Sequence, residues 1–403
     1  MTDKNKINIV FVLGNSAPVP DVLGGGTERL VTMIANQNEV DYRANITFIS
    51  PYNEEAKKAS LKYNNSRFVF IKRNSFFVKV CNFIFIEVNK LIGLNLLKKG
   101  YYENIANIIK DLHADIVIDE NGYVPEVEYL SKAVGKNKLV ARIHWNANPI
   151  SRDVDGLYGA VIGVSNYVAE SWVSNSEDED LKKYVVYSAI DEKRFEISNR
   201  EKSKISIRAK YGIPVNAIVL IYCGRIAEEK GIGKLIEAFN KINNNLVYLL
   251  IVGGQNLSSS EVTQFELKQR EIASNNSNII FTGYINNSLL INYYCSADIQ
   301  VIPTIVEEAV GLVAIEGMYC GLPIIASDTG GLPEYVNRNC AIIVPKNERY
   351  VDNLADEINK LVIDDDRIRD MSLASLENSR KYTQKKYYDD YINCLEKYVL
   401  FIK

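Results

Sequence analysis

Twelve short runs of β-branched and other apolar residues recur along the 403-residue chain, and they constrain its fold more than any other feature. Amphipathic stretches separate them, such as residues 233–242, where Leu235, Ala238, Phe239 and Ile242 share one helical face. Apolar strands that alternate with helices are typical of parallel sheets covered on both faces. The runs lie at 7–13, 45–50, 67–72, 115–119, 138–144 and 160–165, and then at 217–224, 247–254, 278–283, 299–304, 323–327 and 341–345.

The two series predict two doubly wound α/β domains, because 403 residues are too many for one ordinary core. The predicted first domain spans 1–190 and the second spans 191–385, which begins close to the polar stretch "EISNREKSKIS". Residues 386–403 predict an amphipathic C-terminal helix that packs back on the first domain. Ligands are expected at the carboxyl ends of the strands, where parallel sheets bind them.

Composition narrows the class of protein. The formal net charge of -3 argues against a nucleic-acid binder, and no segment reaches about 18 consecutive apolar residues. The first residues, "MTDKNKINIVFVLG", lack the layout of a signal peptide. The six cysteines are scattered without a C-x-x-C pair, and several lie in apolar runs as buried free thiols do. We therefore expect a cytoplasmic protein in a reducing compartment.

The most basic block spans residues 51–102, with ten Lys or Arg against three Glu and a net charge of +7. Within it, Phe, Ile and Leu alternate with the cations over 68–99. A basic amphipathic stretch can lie at the surface of an anionic membrane, which predicts peripheral contact at the inner membrane face. A solvated basic face over ordinary core packing has the same composition, so both interpretations stay open.

In the first half, chemistry-bearing residues follow predicted strands. The segment "GGGTERL" (24–30) opens a helical pattern, and Gly25 and Gly26 would let backbone N–H groups approach a phosphate. A flexible turn before a helix would have the same sequence. His144 ends the strand "KLVARIH" and is predicted at a ligand-binding edge, although a structural histidine is the alternative. His113 lies among charges and is expected at the surface.

In the second half, cations also follow a predicted strand. In "GRIAEEKG" (224–231), Arg225 and Lys230 flank a tight turn between a strand and a helix. Two cations at such a turn suit a diphosphate, Arg as a fork and Lys as a point charge, whereas the alternative is a pair of surface charges. Further along, Glu308 and Glu316 bracket the apolar run "AVGLVAI". Acids beside a buried run need a partner, because burying an unpaired carboxylate is costly.

These segments together resemble glycosyltransferase family 4. The matching stretches are "GGGTER", "GRIAEEKG", "PTIVEEAVGLVAIEGMYCGLPIIASDTGGLPE" and the strand-end histidine, and the most specific is a Glu, seven residues and a second Glu. The resemblance covers nearly the whole chain, most strongly over 220–335 and least over 50–135. It implies the GT-B architecture, in which two Rossmann-like doubly wound parallel-sheet domains face each other across a cleft. The first would be the acceptor side and the second the nucleotide-sugar donor side.

The resemblance also implies roles for single residues. Arg225 and Lys230 would bind the diphosphate, and Glu308 would contact sugar hydroxyls near the reacting carbon. His144 would face the donor sugar, which completes the catalytic set. Glu316 would accept hydrogen bonds from the ribose hydroxyls. The remaining donor-binding positions would act through their backbone, and they are Gly25, Gly26, Gly283, Ala309, Val310, Gly311 and Leu312.

The expected layout around the two acids is a strand that ends at Thr304, a loop that carries Glu308 and a helix whose first turn carries Glu316. Glu307 is expected to face solvent. The acidic triplet 364–366 matches an Asp-x-Asp metal motif, but it is predicted to cap a helix. No catalytic metal and no cofactor are expected, because positioned cations and helix N-termini stabilise a leaving diphosphate.

The activity implied by the resemblance is that of a retaining, metal-independent hexosyltransferase. It would move a hexosyl or N-acetylhexosaminyl group from a nucleotide sugar, expected to be UDP-linked. The acceptor would be a glycan, a lipid-linked saccharide or a glycosylated protein in bacterial capsular, exopolysaccharide or surface-glycan assembly. Two alternatives remain: a GT-B nucleotide-sugar epimerase, and a non-catalytic GT-B partner subunit that stabilises another glycosyltransferase.

Overall fold

The computed structural model describes residues 6–72, 97–120, 122–195, 200–254 and 262–403. The chain divides into two compact units. The first unit comprises residues 1–188 and 384–403, and the second comprises residues 189–383. The unit border therefore lies two residues before the border expected from the sequence, and the chain returns to the first unit two residues before the expected start of the C-terminal helix.

The first unit is built on a seven-stranded parallel sheet in the order β3-β2-β1-β4-β5-β6-β7. Its central strands are buried throughout, mostly by apolar side chains, and they also carry the buried charged residues Asp119, Glu120 and Arg142. The strands are β1 Asn8–Leu13, β2 Asn45–Pro51, β3 Ser66–Ile71, β4 Ile116–Glu120, β5 Leu139–Ile143, β6 Ala160–Gly163 and β7 Lys182–Val185.

Six described helices cover this sheet. The C-terminal helix α14 packs against α1, and the Tyr388 hydroxyl on α14 donates a hydrogen bond to Asn38 Oδ1 on α1 at 2.6 Å. The helices of the first unit are α1 Gly26–Asp41, α2 Glu54–Ser60, α3 Tyr101–Ile109, α4 Glu128–Val134, α5 Asn166–Ser174 and α14 Gln384–Ile402.

The second unit has a six-stranded parallel sheet in the order β10-β9-β8-β11-β12-β13. Its core consists of aliphatic side chains from the central strands and from the helices that flank them. The strands are β8 Ile218–Cys223, β9 Val247–Val252, β10 Ile279–Gly283, β11 Ile299–Ile302, β12 Ile324–Ser327 and β13 Ala341–Val344.

Eight described helices complete the second unit. Asp364 caps helix α13 by accepting a hydrogen bond from the Arg367 backbone N–H at 2.9 Å, which confirms the capping role predicted for the acidic triplet. The helix α7 ends at Phe239, three residues before Ile242, so one member of the predicted helical face lies outside the helix. The helices are α6 Arg200–Lys210, α7 Ile232–Phe239, α8 Gln264–Ala273, α9 Leu290–Ser296, α10 Leu312–Tyr319, α11 Leu332–Tyr335, α12 Tyr350–Leu361 and α13 Asp365–Ser379.

The predicted fold class, two Rossmann-like doubly wound units, is confirmed by the two parallel sheets and their helices. In each sheet the first strand is central, so the direction of strand progression reverses between β1 and β4 and again between β8 and β11. Parallel α/β sheets bind their ligands at such reversal points, outside the carboxyl ends of the strands. Site residues are therefore expected at these two edges.

The block 68–99, predicted as a membrane-contact candidate, lies mostly outside the described residues. Its described part includes the end of β3. Across the helices of the described ranges, none combines the length and the apolarity that crossing a membrane requires.

Candidate functional site

The turn after β8 carries both predicted diphosphate ligands and packs against the end of β11. Lys230 closes a short 3-10 turn, and Gly231 follows it with a φ of 70°. A Cβ atom at Gly231 would lie 1.8 Å from the carbonyl oxygen of Pro303, so only glycine permits this approach. The Ile305 N–H donates to the carbonyl of Glu229 at 3.1 Å and fastens the two segments. Lys230 is thereby fixed beside the segment that follows β11.

Lys230 and Glu308 form a direct ion pair between Nζ and Oε1. The Thr304 hydroxyl donates a hydrogen bond to the same Glu308 oxygen at 3.1 Å, and the two charged side chains are 26% and 19% exposed. The predicted phosphate ligand and the predicted sugar-contacting acid are therefore neighbours at the β8/β11 reversal point. Each of the two charges neutralises the other.

Arg225 lies at the same turn but faces solvent. Its guanidinium pairs with Glu229 at 3.0 Å, and its side chain is 44% exposed. The Tyr222 hydroxyl donates to the Arg225 carbonyl at 2.5 Å and so fixes the backbone from which the long side chain extends. The structure thus places Arg225 on the edge that carries Lys230, while its head group is paired with the adjacent acid.

Two glycines, Gly330 and Gly331, hold the loop that follows Glu308. They lie in a segment that resembles the family, but the sequence did not indicate a role for them. The Gly331 N–H donates to the Glu308 carbonyl at 2.6 Å, and a Cβ atom at Gly330 would lie 2.2 Å from that carbonyl oxygen. Gly311 precedes the first residue of α10 and has a φ of 73°, while Val310 is 9% exposed. The predicted positions Ala309, Val310, Gly311 and Leu312 thus form a tight turn at a helix N-terminus, where backbone N–H groups favour an anion.

Glu316 is the fifth residue of α10, so it lies one turn beyond the first turn expected from the sequence. Similarly, β11 ends at Ile302 rather than at Thr304. The Glu316 carboxylate accepts a hydrogen bond at 2.9 Å from the hydroxyl of Tyr294, a buried residue of α9 that the sequence did not indicate. Burial, and then the negative charge of Glu316, raise the pKa of the Cys223 thiol at the end of β8 to about 12. Glu316 therefore also belongs to the β8 edge.

Two other positions lie on the same unit without bonding to Lys230 or Glu308 among the described contacts. Glu307, predicted to face solvent, is 43% exposed, but its carboxylate pairs with Lys346 at 2.7 Å and accepts from the Gly330 N–H at 2.5 Å. The hydrogen bond from Lys346 lowers the pKa of Glu307. Gly283 ends β10 with a φ of 72°, and its carbonyl accepts from the Gly253 N–H at 3.1 Å.

In the first unit, the glycine turn predicted to bind a phosphate is in contact with the side chain of Glu28. Gly25 precedes the first residue of α1, Gly26, with a φ of 145°. A Cβ atom at Gly25 would lie 2.1 Å from Glu28 Oε2, so the Glu28 carboxylate folds back over the glycines. Burial raises the pKa of Glu28, while a hydrogen bond from its own backbone N–H lowers it. The helix N-terminus is thus neutralised by a carboxylate where a phosphate is predicted.

His144 follows β5 and contacts an acid that the sequence interpretation missed. Its Nε2 lies 2.6 Å from Oε2 of Glu120, and the two side chains are 9% and 1% exposed. Glu120 ends β4, the strand next to β5, so the two side chains emerge at one edge. The sequence did contain a signal for this contact. Glu120 ends the run "DIVIDE" and His144 ends the next run, so their side chains could be expected at neighbouring strand ends. Tyr391 of α14 donates to Glu120 Oε1 at 3.0 Å, and no local sequence signal indicates that contact.

Asp119, one residue before Glu120, is buried and points away from the His144 pair. Burial raises the pKa of Asp119 to about 7, against hydrogen bonds from the Tyr158 hydroxyl at 2.6 Å and the Tyr123 N–H. A Cβ atom at Gly122 would lie 2.2 Å from the Asp119 carboxylate. Asp119 therefore organises the loop after β4. The exposed position of His113 agrees with its predicted surface location.

Metal-ligating side chains do not gather in threes anywhere within the described ranges. This observation leaves the metal independence of the protein as a prediction. Within each unit, the structure brings a basic and an acidic side chain together at the carboxyl edge of the sheet.

The chain is similar in sequence to known glycosyltransferases. Residues 203–382 match the family described as "Glycosyl transferases group 1". An uncharacterized glycosyltransferase of Methanocaldococcus jannaschii is 30% identical over 51% of this chain and 51% of its own length. The lipopolysaccharide 1,2-N-acetylglucosaminetransferase of Salmonella typhimurium is 30% identical over 40% of this chain and 44% of its own length. The chain therefore spans about half the length of these curated relatives.

A solved structure extends the likeness of fold to both units. HepE of Anabaena, crystallised with UDP-glucose, is 16% identical and superimposes with a TM-score of 0.70 over 97% of this chain and 100% of that protein. At this identity the match concerns the fold alone. The chain therefore has the GT-B fold, and its second unit matches the glycosyl transferases group 1 family over residues 203–382.

Proposed function

We propose that the protein is a retaining glycosyltransferase that moves a hexosyl or N-acetylhexosaminyl group from a nucleotide sugar to an acceptor. The observation that carries this proposal is the contact between Lys230 and Glu308 at the β8/β11 reversal point, with Arg225 on the same edge. Two cations beside a single acid suit a sugar diphosphate. The cations offer positive charge to the phosphates, and the acid offers a hydrogen-bond acceptor to the sugar. The second unit would be the donor side.

The donor would be held by side chains at one end and by backbone groups along its length. Lys230 would exchange the Glu308 carboxylate for a phosphate, while Arg225 would turn from Glu229 toward the diphosphate. Glu308, once released, would accept from a sugar hydroxyl. Glu316 would accept from the ribose hydroxyls, and the N–H groups of 309–312 would face the sugar and the phosphates. Support for a UDP-linked donor comes from HepE, which was crystallised with UDP-glucose.

The chemistry requires stabilisation of the leaving group. Breaking a sugar–diphosphate bond creates an oxocarbenium-like centre and increases the negative charge on the departing phosphate. Lys230, Arg225 and the N-terminus of α10 would stabilise that charge without a metal. Retention would follow from attack on the face that the diphosphate leaves, with a phosphate oxygen taking the proton of the acceptor hydroxyl. Glu308 would then be a hydrogen-bonding group and not a nucleophile.

The acceptor side would be the first unit, with His144 facing the donor sugar. Acceptors of the proposed class are glycans, lipid-linked saccharides and glycosylated proteins of bacterial surfaces. The Salmonella relative, whose name describes a lipopolysaccharide transferase, supports this class. Peripheral contact of 68–99 with the inner face of the membrane stays part of the proposal. Flotation of the protein with anionic vesicles at low salt would test it, and absence of binding would contradict it.

Ligand binding and turnover test the proposed donor. A thermal-shift screen over UDP-, GDP- and ADP-sugars should identify one nucleotide that raises the unfolding temperature, since a ligand that binds only the folded state stabilises it. Nucleotide release from the stabilising sugar should then fall by about 100-fold in Arg225→Ala. Arg369→Ala is the matched control, because Arg369 is a 66% exposed surface residue paired with Asp366.

The outcomes separate the proposed transferase from its alternatives. Failure of every donor to bind or to release nucleotide, with a panel of saccharide acceptors present, would favour a non-catalytic partner subunit. Interconversion of one UDP-sugar into its epimer, without transfer, would favour an epimerase. Nucleotide release that is unaffected by Arg225→Ala would contradict the proposed diphosphate site.

A further inference from the structure

A hydrogen-bonded series of three side chains joins the C-terminal helix to His144. The Tyr391 hydroxyl of α14 donates to Glu120 Oε1 at 3.0 Å, and Glu120 Oε2 lies 2.6 Å from His144 Nε2. Tyr391 is fully buried and Glu120 is 1% exposed. We propose that Tyr391 acts through Glu120 as a positioning residue for His144, so that the C-terminal helix is part of the site. This inference rests on the donor-facing role of His144 given in the proposed function.

The two carboxylate oxygens of Glu120 contact two different parts of the first unit. One oxygen accepts from Tyr391 of α14, and the other lies within hydrogen-bond distance of His144, the residue after β5. Arg142 is the register partner of Glu120 on β5, and its guanidinium donates to the carbonyls of Gly163 and Val186. The Arg142 guanidinium in turn lies 5.4 Å from the centre of the Tyr391 ring. A hydroxyl that donates to one oxygen and a positive charge on the neighbouring strand both favour the ionised form of this buried carboxylate.

An ionised carboxylate only accepts hydrogen bonds, so the Nε2 of His144 must carry a proton. The hydrogen bond made by one ring nitrogen fixes the state of the other, which leaves Nδ1 as the nitrogen that meets a ligand. The backbone is fixed as well, because the His144 N–H donates to the Tyr123 hydroxyl at 3.3 Å. Ring and backbone are thus both oriented before any ligand arrives, which avoids the cost of ordering them on binding.

The charged groups near His144 come from several elements. Glu120 approaches from β4, Arg142 from β5 and Glu28 from the first turn of α1, and the charges on His144 and Glu120 act in opposite directions on the pKa of Glu28. Of these groups, Glu120 is hydrogen-bonded to the His144 ring, and Tyr391 is the residue that holds its second oxygen. Replacing the Tyr391 hydroxyl therefore perturbs the ring through Glu120 without removing a group that touches His144.

Nuclear magnetic resonance of 15N-histidine-labelled protein tests the proposal in the absence of any ligand. The chain has two histidines, and the exposed His113 can be assigned by His113→Asn. We expect a slowly exchanging Nε2 proton on His144, displaced downfield by the carboxylate. Tyr391→Phe should move it further downfield, because Glu120 loses one donor and concentrates its charge on the other. Glu120→Gln should move it upfield, since a neutral amide oxygen is the weaker acceptor.

Tyr388→Phe is the matched control. Tyr388 lies on the same helix and is also fully buried, but its hydroxyl donates to Asn38 rather than to Glu120. The control should lose a comparable hydrogen bond and leave the His144 ring signals unchanged. Protonation of His144 on Nδ1 in place of Nε2 would overturn the proposal. Equal displacement of the ring signal by Tyr391→Phe and Tyr388→Phe would overturn it too, because the effect would then be structural.

Turnover supplies a second readout. With UDP-glucose as the donor, Tyr391→Phe should lower kcat for UDP release by roughly 5- to 20-fold and leave KM within about 2-fold, because orientation is lost and donor contacts are not. Tyr388→Phe should change kcat by less than about 2-fold. A normal kcat in Tyr391→Phe with a displaced ring signal would overturn the positioning role. Absence of turnover in the unmodified protein would instead contradict the proposed function for this donor, while the spectra would still decide the inference.

Discussion

Each unit brings a basic and an acidic side chain into contact at the carboxyl edge of its sheet, and the two pairs differ in burial. In the first unit, the His144 and Glu120 side chains are 9% and 1% exposed. In the second unit, those of Lys230 and Glu308 are 26% and 19% exposed. Tyr391 holds the first acid from a distant helix, whereas Thr304, four residues away, holds the second.

This difference indicates two kinds of site. A buried pair cannot exchange its partner without stranding a charge, which costs several kcal/mol, so the His144 pair is suited to fix an orientation. A pair with access to water can exchange a carboxylate for a phosphate, since both anions bind the same ammonium. The Lys230 pair is therefore suited to open for a ligand. Four experiments test this contrast, from the largest expected effect to the smallest.

Removing the acid of each pair should cost very different amounts of stability. Glu120→Ala should destabilise the protein by about 3–5 kcal/mol, because it leaves buried polar groups without their partner. Glu308→Ala should cost less than about 1 kcal/mol, as expected for a pair that water reaches. Thermal unfolding of the full chain measures both. Equal shifts in the unfolding temperature would contradict the assignment of one fixed and one exchangeable pair.

Removing the cation of the second pair should cost activity. Lys230→Ala should lower nucleotide release by about 10²- to 10³-fold, the effect of losing one positioned group that stabilises developing charge. Its unfolding temperature should change little. Lys241→Ala is the control, since Lys241 pairs with Asp352 on the surface at 52% exposure. Loss of less than about 10-fold would mean that Lys230 does not bind the leaving group.

The burial of Asp119 in the first unit should make the stability of the protein depend on pH. The pKa of Asp119 is about 7 in the folded protein against 3.8 as its ordinary value. Between these values the folded state binds the proton more tightly, so stability is full below about pH 4 and falls as the pH rises through 7. From pH 5 to 8 the loss should be about 2–3 kcal/mol.

Asp119→Asn isolates that contribution, because the amide does not titrate. Its unfolding temperature should fall less between pH 5 and pH 8 than that of the unmodified protein. The variant should therefore gain stability relative to the unmodified protein as the pH rises. Parallel curves for the two proteins would show that Asp119 is ionised in the folded state at both pH values.

The smallest expected effect concerns the opening of the Lys230 pair. Glu308→Gln should bind UDP about 2- to 5-fold more tightly, because the phosphate no longer competes with a carboxylate for Lys230. The same variant should turn over UDP-glucose more slowly, since the sugar loses its charged acceptor. Calorimetry with UDP and a release assay measure the two effects. Weaker binding of UDP would show that Glu308 does not compete with the phosphate.

Whether the sequence predicted a strand depended on how deeply that strand is buried. The twelve apolar runs all overlap strands of the two sheets, because strands covered on both faces consist of β-branched and aliphatic residues. Among the described residues, the strand that was not predicted is β7, Lys182–Val185, whose sequence "KKYV" is polar. It occurs at the edge of its sheet, where half-exposed side chains leave no continuous apolar signal.

The candidate site divides in the same way. The sequence by itself determined the residues whose chemistry is local: the cations around one turn, the acids around one apolar run and the glycines before one helix. The tertiary structure alone decided their partners. It placed Glu28 on the glycines, Glu308 on Lys230, Tyr294 on Glu316, and Tyr391 with Glu120 behind His144. Tyr391 and Glu120 are 271 positions apart, and only the packing of the C-terminal helix on the first unit brings such residues together.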